Sequence, residues 1–195
     1  MKAFDLINTF NEMLVKKWGY VPGTAGELWT EEKAAKQGHN KWIGHRVADC
    51  SGAFVYAFKK AGISVYHGSN RLARVYTKQL LSIDEAVPGM IVFKGRLPGT
   101  EHYSLPVDYK PSGKYYNGDI TDYYHCGLCV DGGMVINLQS SSTGCVASPI
   151  SQWSCCGYLK NVDYDNSVTI TEDIKIPYAM AKELYAILKD GLNEK

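Results

Sequence analysis

Phe4, Ile7, Phe10, Met13 and Leu14 recur at helical spacing, which predicts an amphipathic helix over residues 2–17 that packs on the main body through one apolar stripe. A Gly-punctuated loop follows, Trp18-Gly19-Tyr20-Val21-Pro22-Gly23-Thr24. Beyond it lies a mixed-charge stretch to about Gly44, with a short helix expected around 27–37. Asp49-Cys50-Ser51-Gly52 opens a second helix. Its residues Ala53, Phe54, Tyr56, Ala57, Phe58 and Ala61 are apolar nearly all round, and Gly62 stands where a C′ residue ends such a run. A helix of that kind is usually central and buried. A third helix is predicted over 69–81, entered from Ser69 or Asn70.

Strand patterning then takes over. Val87-Pro88-Gly89 reads as a turn into Met90-Ile91-Val92-Phe93. Residues 95–122 carry Pro, Gly, Asp and Tyr without steady periodicity, a long excursion of the kind that often serves function. Tyr123–Val130 and Met134–Gln139 flank Asp131-Gly132-Gly133, a β-hairpin signal. Short strands are expected near 144–148 and 156–162, a further strand near 167–171, and a helix at 177–190 started by Pro177 and ended by Gly191. Helices first and an antiparallel meander after them make an α+β chain. We expect one domain over 1–165 and a C-terminal strand and helix appendage over 166–195.

The charge balance, 21 Lys and Arg against 20 Asp and Glu in 195 residues, gives no electrostatic reason to expect nucleic acid or an anionic membrane as a main partner. Residues 132–159 carry no charge, but they are rich in Ser, Gln, Gly and Pro, so no membrane span is expected. Six cysteines are too sparse for a small disulfide scaffold, and the first residues lack the apolar run of a secretory signal. The expectation is a chain made in a reducing cytoplasm with free or catalytic thiols. No phosphate loop, dinucleotide fingerprint, His-Glu-x-x-His or Gly-x-Ser-x-Gly occurs.

Cys50 is the most informative residue. At a helix start its sulfur lies near unpaired backbone N–H groups and the positive end of the helix dipole, both of which favour the thiolate that a cysteine nucleophile requires. A lone Cys in that place is more often a small buried hydrophobe. A base must accompany it. His39, His45, His67 and His102 sit in loop-like or charged contexts and read as solvated side chains, whereas His125 stands on a hairpin strand that would hold its ring rigidly. Alternation puts His125, Gly127 and Cys129 on one strand face, and Cys126, Leu128 and Val130 on the other. If Asp131-Gly132-Gly133 is a three-residue loop, Asn137 and Gln139 both share the face of His125, one diagonal and one direct; a two-residue loop hides both. Geometry alone leaves Asn137 and Gln139 open as the group that orients the imidazole.

Taken together, Asp49-Cys50-Ser51-Gly52, Pro88-Gly89-Met90-Ile91-Val92-Phe93 and His125-Cys126-Gly127-Leu128 running to Ile136-Asn137 resemble the NlpC-type cell-wall cysteine peptidases. That family is papain-like and cleaves peptidoglycan stem peptides. The resemblance spans about residues 14–160. It implies a helix-start nucleophile packed on an antiparallel sheet. It also implies that the orienting residue is the polar side chain twelve positions after the His, which is Asn137. The segment around Trp18-Gly19-Tyr20 resembles the family's Tyr-containing stretch, and Tyr20 is the matching phenol. Three departures stand out: Met90 for the usual acidic residue, a long Tyr-to-Cys spacing, and the apparent insertion at 95–122.

What the resemblance implies is a cysteine endopeptidase without cofactor or metal, acting on peptidoglycan stem peptides. In it Cys50 attacks, His125 is the base and Asn137 orients it, with Tyr20 and a helix-start N–H at the oxyanion and Asp49 and Ser51 as binding candidates. Asp49 is also a natural helix cap and Ser51 an ordinary first-turn residue. The rivals are an N-acetylmuramoyl-L-alanine amidase or acyltransferase on the same scaffold, and a non-catalytic binding or virion-assembly module. A prophage-type enzyme, released by lysis or carried on a particle, is the setting expected. Zinc on Cys126/Cys129 or Cys155/Cys156 is disfavoured by spacing, and buried free thiols are expected instead. Tyr103, Tyr109, Tyr115, Tyr116, Tyr123 and Tyr124 read equally as groove lining or as loop anchors.

Overall fold

The computed structural model describes residues 1–164. The strand and helix expected at 167–171 and 177–190 lie outside the described residues. Helix α1 spans Ala3–Val15 and buries Leu6, Thr9, Phe10, Met13 and Leu14; Phe4, which the stripe would bury, is 47% exposed. The loop after it contributes β1 (Gly19–Tyr20), and β2 (Ala25–Leu28) precedes α2 (Glu31–Gln37), which Thr30 caps. Strand β3 (Arg46–Ala48) pairs with both β1 and β2 in a three-stranded sheet. The helix expected from 27 thus starts four residues later, because 25–28 is claimed by pairing with β3. Val21, Trp29, Ala34, Trp42 and Val47 fill the small core of this lobe.

Helix α3 (Cys50–Lys60) starts one residue after β3 and ends where Gly62 adopts φ +73. It packs on α1 and on the main sheet, with Phe54, Ala57 and Phe58 against Phe10 and Met13. Each fully buried aromatic here contributes on the order of 1.5–3 kcal/mol of transfer free energy.

The region 69–81 is not one helix. A helical turn, Ser69–Arg71, passes into a π-helical turn, Leu72–Tyr76, and the chain then extends as β4 (Thr77–Ser82). Leu72, Tyr76 and Leu80 carry the helical spacing, but Thr77–Ser82 pairs with the strand at 155–159, and sheet pairing overrides the local pattern.

Strands β5 (Ile91–Arg96), β6 (Asp122–Val130), β7 (Met134–Ser140), β8 (Gly144–Pro149) and β9 (Cys155–Leu159) complete an antiparallel six-stranded sheet in the order β4-β9-β5-β6-β7-β8. Only β5 to β8 form the expected meander; β9 returns to lie between β4 and β5. One sheet face receives α1 and α3 on Ile91, Phe93, Leu128, Ile136 and Leu138. The other holds Met90, Val92, Cys129, Val135, Trp153 and Cys156.

The hairpin adopts the three-residue loop: Val130 pairs with Met134 and Cys129 with Val135 across Asp131–Gly133, where Gly132 and Gly133 both take positive φ. A bulge in β6 skips Tyr124, since Lys94 pairs with His125 and Gly95 with Tyr123. It lets Tyr123 join the main core while His125 faces the opposite side.

Candidate active site

The site is assembled from the start of α3, the middle of β6 and β7, and the small lobe. Asp49 caps α3. Its Oδ1 accepts hydrogen bonds from the Gly52 amide at 2.8 Å, the Ser51 hydroxyl at 3.0 Å and His67 Nε2 at 2.8 Å, and its Oδ2 accepts from the Gly23 amide at 2.8 Å. The third helical residue has to be glycine: a Cβ at Gly52 would fall 1.9 Å from the Thr24 carbonyl oxygen. Asp-Cys-Ser-Gly is therefore a packed cap that delivers Cys50 at the first helical position.

Cys126 and His125 hydrogen-bond the Cys50 sulfur, which also interacts electrostatically with Asp49, Tyr20 and His67. A hydrogen bond from the Cys126 thiol favours the thiolate most, burial opposes it, and the bond and charge of His125 add to the lowering. The thiol is pulled down to about 5. Burial instead pushes Cys129 and Cys156 up to about 11, Cys155 up to about 12, and Cys126 and Cys145 up as well. One thiol of six is thus held ready to ionise at neutral pH.

His125 is buried, and its Nε2 lies 2.9 Å from Asn137 Oδ1. That oxygen only accepts, so Nε2 carries a proton in this bond. Asn137 Nδ2 donates to Ser148 Oγ at 3.2 Å, and Trp153 Nε1 donates to the same oxygen at 3.3 Å. The Trp153 indole stacks on the imidazole at 5.4 Å and 20°. Gln139, the residue left open beside Asn137, is exposed. Gly127, between His125 and Cys129, gives the indole room: a Cβ there would meet Val135 at 2.6 Å, Trp153 at 2.8 Å and Asn137 at 3.0 Å.

Tyr20 pairs with Ala48 across the small sheet, which brings its phenol to the nucleophile. Burial, and then the charges of Cys50 and Asp49, push that phenol up, so it remains a neutral donor. Ser51 is buried; its hydroxyl donates to Asp49 and accepts from the Gly68 amide at 3.0 Å.

No protein-family model and no curated protein sequence matches the chain. The crystal structure of the NlpC/p60 domain of peptidoglycan hydrolase SagA matches it with a TM-score of 0.50, over 81% of this chain and 99% of that domain, at 14% sequence identity. The chain has the NlpC/p60 fold. Similar too are the P60 domain of antigen MAP1204 from M. avium subspecies paratuberculosis (TM-score 0.49, 16% identity, 80% of this chain, 91% of that one) and NlpC2 from Trichomonas vaginalis (TM-score 0.49, 16% identity), where the match spans 80% of this chain and 46% of that protein.

On this NlpC/p60 scaffold the excursion at 95–122 is pinned to the 69–76 segment. The Arg71 guanidinium lies 3.6 Å over the Tyr115 ring and 4.7 Å over Tyr66, and Arg74 lies 5.2 Å from both Tyr109 and Tyr123. Tyr109, Tyr115 and Tyr123 thus anchor the excursion, whereas Tyr66, Tyr116 and Tyr124 are exposed. Cys126 and Cys129 enter opposite faces of the sheet. Among the described residues no three metal-ligating side chains gather, and no helix is long and apolar enough to cross a membrane.

His67 adds to the sequence reading: it is exposed, as a loop histidine is expected to be, and its Nε2 also lies 2.8 Å from Oδ1 of Asp49, eighteen positions upstream. No local signal marks it, since only the tertiary fold brings the Val65–Ser69 turn to the cap of α3. Ser148 and Trp153 are equally silent in the sequence, because their roles depend on β8 and the turn after it folding back over β7.

Proposed function

We propose that the protein is a cysteine hydrolase that cleaves peptide bonds in peptidoglycan stem peptides. The observation that carries the reading is the line Cys50–His125–Asn137: a thiol lowered to about 5, a base beside it, and an amide 2.9 Å behind that base. Cys50 attacks the scissile carbonyl as thiolate. His125, held by Asn137, protonates the leaving amine and then activates the water that hydrolyses the thioester. The first-turn amide of α3 and the neutral Tyr20 hydroxyl are the donors for the oxyanion. Asp49 and Ser51, engaged with His67 and Gly68, fix the wall beside the nucleophile on which the peptide lies.

The substrate class rests on the motif resemblance and on the NlpC/p60 fold, whose solved examples include a peptidoglycan hydrolase. The test is mass spectrometry of muropeptides released from purified cell walls. Cleavage between stem residues by wild type and not by Cys50→Ala supports the reading. A glycan–peptide cut would indicate an amidase, and equal products from both proteins would refute the cysteine mechanism.

A further inference from the structure

The Cys50 sulfur is hydrogen-bonded by His125 and Cys126 from β6, and it interacts electrostatically with Asp49 on its own helix cap, Tyr20 from β1 and His67 from the segment before the Ser69 helix. Those that face His67 are Asp49, Cys50 and, from β2, Glu27. Among them Asp49 presents a difficulty. Its carboxylate is needed as the cap, yet it sits one residue from a sulfur that must become an anion, and its charge raises the Cys50 thiol. Like charges so close disfavour ionisation of the second group.

We propose that His67 is a positioning residue for the nucleophile: its imidazolium, seated on Asp49, cancels the field of that carboxylate at the Cys50 sulfur while the carboxylate goes on capping α3. The geometry is fixed from several sides. Nε2 lies 2.8 Å from Asp49 Oδ1, the same oxygen that takes the Gly52 amide, and a Cβ on Gly52 would come within 3.0 Å of that nitrogen. The turn carrying His67 is tied down by Gly68 N–H on Ser51 Oγ at 3.0 Å, by Tyr66 N–H on the Tyr76 hydroxyl at 3.2 Å, and by Ser69 Oγ on the Tyr123 carbonyl at 2.5 Å. The imidazole is about a third exposed, at 35%, and Asp49 is 13% exposed, so the pair works in a partly desolvated setting. The Asp49 hydrogen bond raises His67 against the opposing effect of burial, which keeps the ring cationic further toward neutral pH.

The experiment is the pH dependence of Cys50 alkylation by iodoacetamide in the full chain. The wild-type midpoint should lie at about 5. His67→Gln keeps a neutral donor but loses the charge, and its midpoint should rise by about one pH unit. His67→Lys restores a cation and should return the midpoint to the wild-type value. In an Asp49→Asn background, His67→Gln should produce no further shift, because the charge it cancels is gone. Superimposable wild-type and His67→Gln profiles would overturn the proposal, as would a shift of the same size in the Asp49→Asn background. A merely structural contact would be served by Gln and would leave the midpoint in place. Thermal melts establish that each variant is folded, and His67→Asn replaces His67→Gln should the latter unfold the chain. The proposal rests on Cys50 as the nucleophile, but alkylation reads the thiol itself. Shifts as expected in a protein inert toward cell walls would sink the hydrolase reading alone; wall cleavage with unshifted profiles would sink this one alone.

Discussion

Asn137 stands 2.9 Å behind His125 and is itself held by Ser148 at 3.2 Å, so the orientation of the base is set by two strands beyond its own. Asn137 is 1% exposed, and Trp153 closes the remaining side by stacking on the imidazole while donating to the same Ser148 oxygen. In a low-dielectric setting such a chain of neutral hydrogen bonds can fix one tautomer without adding a charge.

Asn137→Ala should therefore lower kcat/KM by about 10²-fold, the usual loss when a reacting group is released from its geometry. Ser148→Ala should lower it less, because Asn137 keeps its bond to the ring. Steady-state kinetics on a stem-peptide substrate measure both. If Asn137→Ala retained full activity, the amide would have no part in orienting the base.

The thiols should divide sharply by reactivity. At pH 7 a maleimide probe should label Cys50 in the folded chain and leave the other five untouched until denaturant is added, since burial holds Cys129 and Cys156 at about 11 and Cys155 at about 12. Cys126→Val removes the donor that most favours the thiolate. Losing a hydrogen bond to the charged form raises a thiol, so the Cys50 labelling midpoint should move up from about 5 by about one pH unit or more. The acid limb of hydrolysis should move with it. Peptide mapping after labelling reads the first result and stopped-flow labelling the second.

Gly127 is a steric requirement of the site. Alanine there would drive Trp153, Val135 and Asn137 outward from contacts of 2.8, 2.6 and 3.0 Å. Overpacking of this kind costs about 1–3 kcal/mol, visible as a lowered Tm, and the displaced Asn137 should lower kcat/KM as well. A Gly127→Ala protein with unchanged Tm would show that the indole has slack.

The parts of this molecule that were legible in the sequence are those specified locally. The apolar run of α3, the Gly62 stop, the β5–β8 strands and a hairpin turn at Asp131–Gly133 each follow from patterns within a dozen residues, whereas the odd length of that turn, left open between two and three residues, comes from the pairing of Val130 with Met134. The shared face of His125 and Asn137 follows from that loop by alternation alone. What stayed hidden depends on distant partners. Thr77–Ser82 is a strand only because β9, far along the chain, returns to pair with it. The β1–β3–β2 sheet unites segments too short to show a period. His67 looks like any loop histidine until the fold places it on Asp49.

The anchoring of the 95–122 excursion can be tested apart from the chemistry. Arg74 has a side chain only 1% exposed; it donates to Asn70 Oδ1 at 2.8 Å and to the carbonyls of Asp119 at 3.1 Å and Thr121 at 2.6 Å, with the Asp119 carboxylate at 3.9 Å. Arg74→Met keeps the apolar stem but strands these acceptors, at a cost of about 2–3 kcal/mol for hydrogen bonds made by a charged donor. Because the Asp119 and Thr121 carbonyls lie where the excursion rejoins β6, the loss should fall first on the loop. Limited trypsin digestion should cut near Lys110 or Lys114 at much lower protease concentration than in wild type, while Cys50 labelling at neutral pH stays unchanged. Unaltered proteolysis in a destabilised Arg74→Met protein would mean that Arg74 supports the sheet rather than the loop, leaving the Arg71–Tyr115 stack as its anchor.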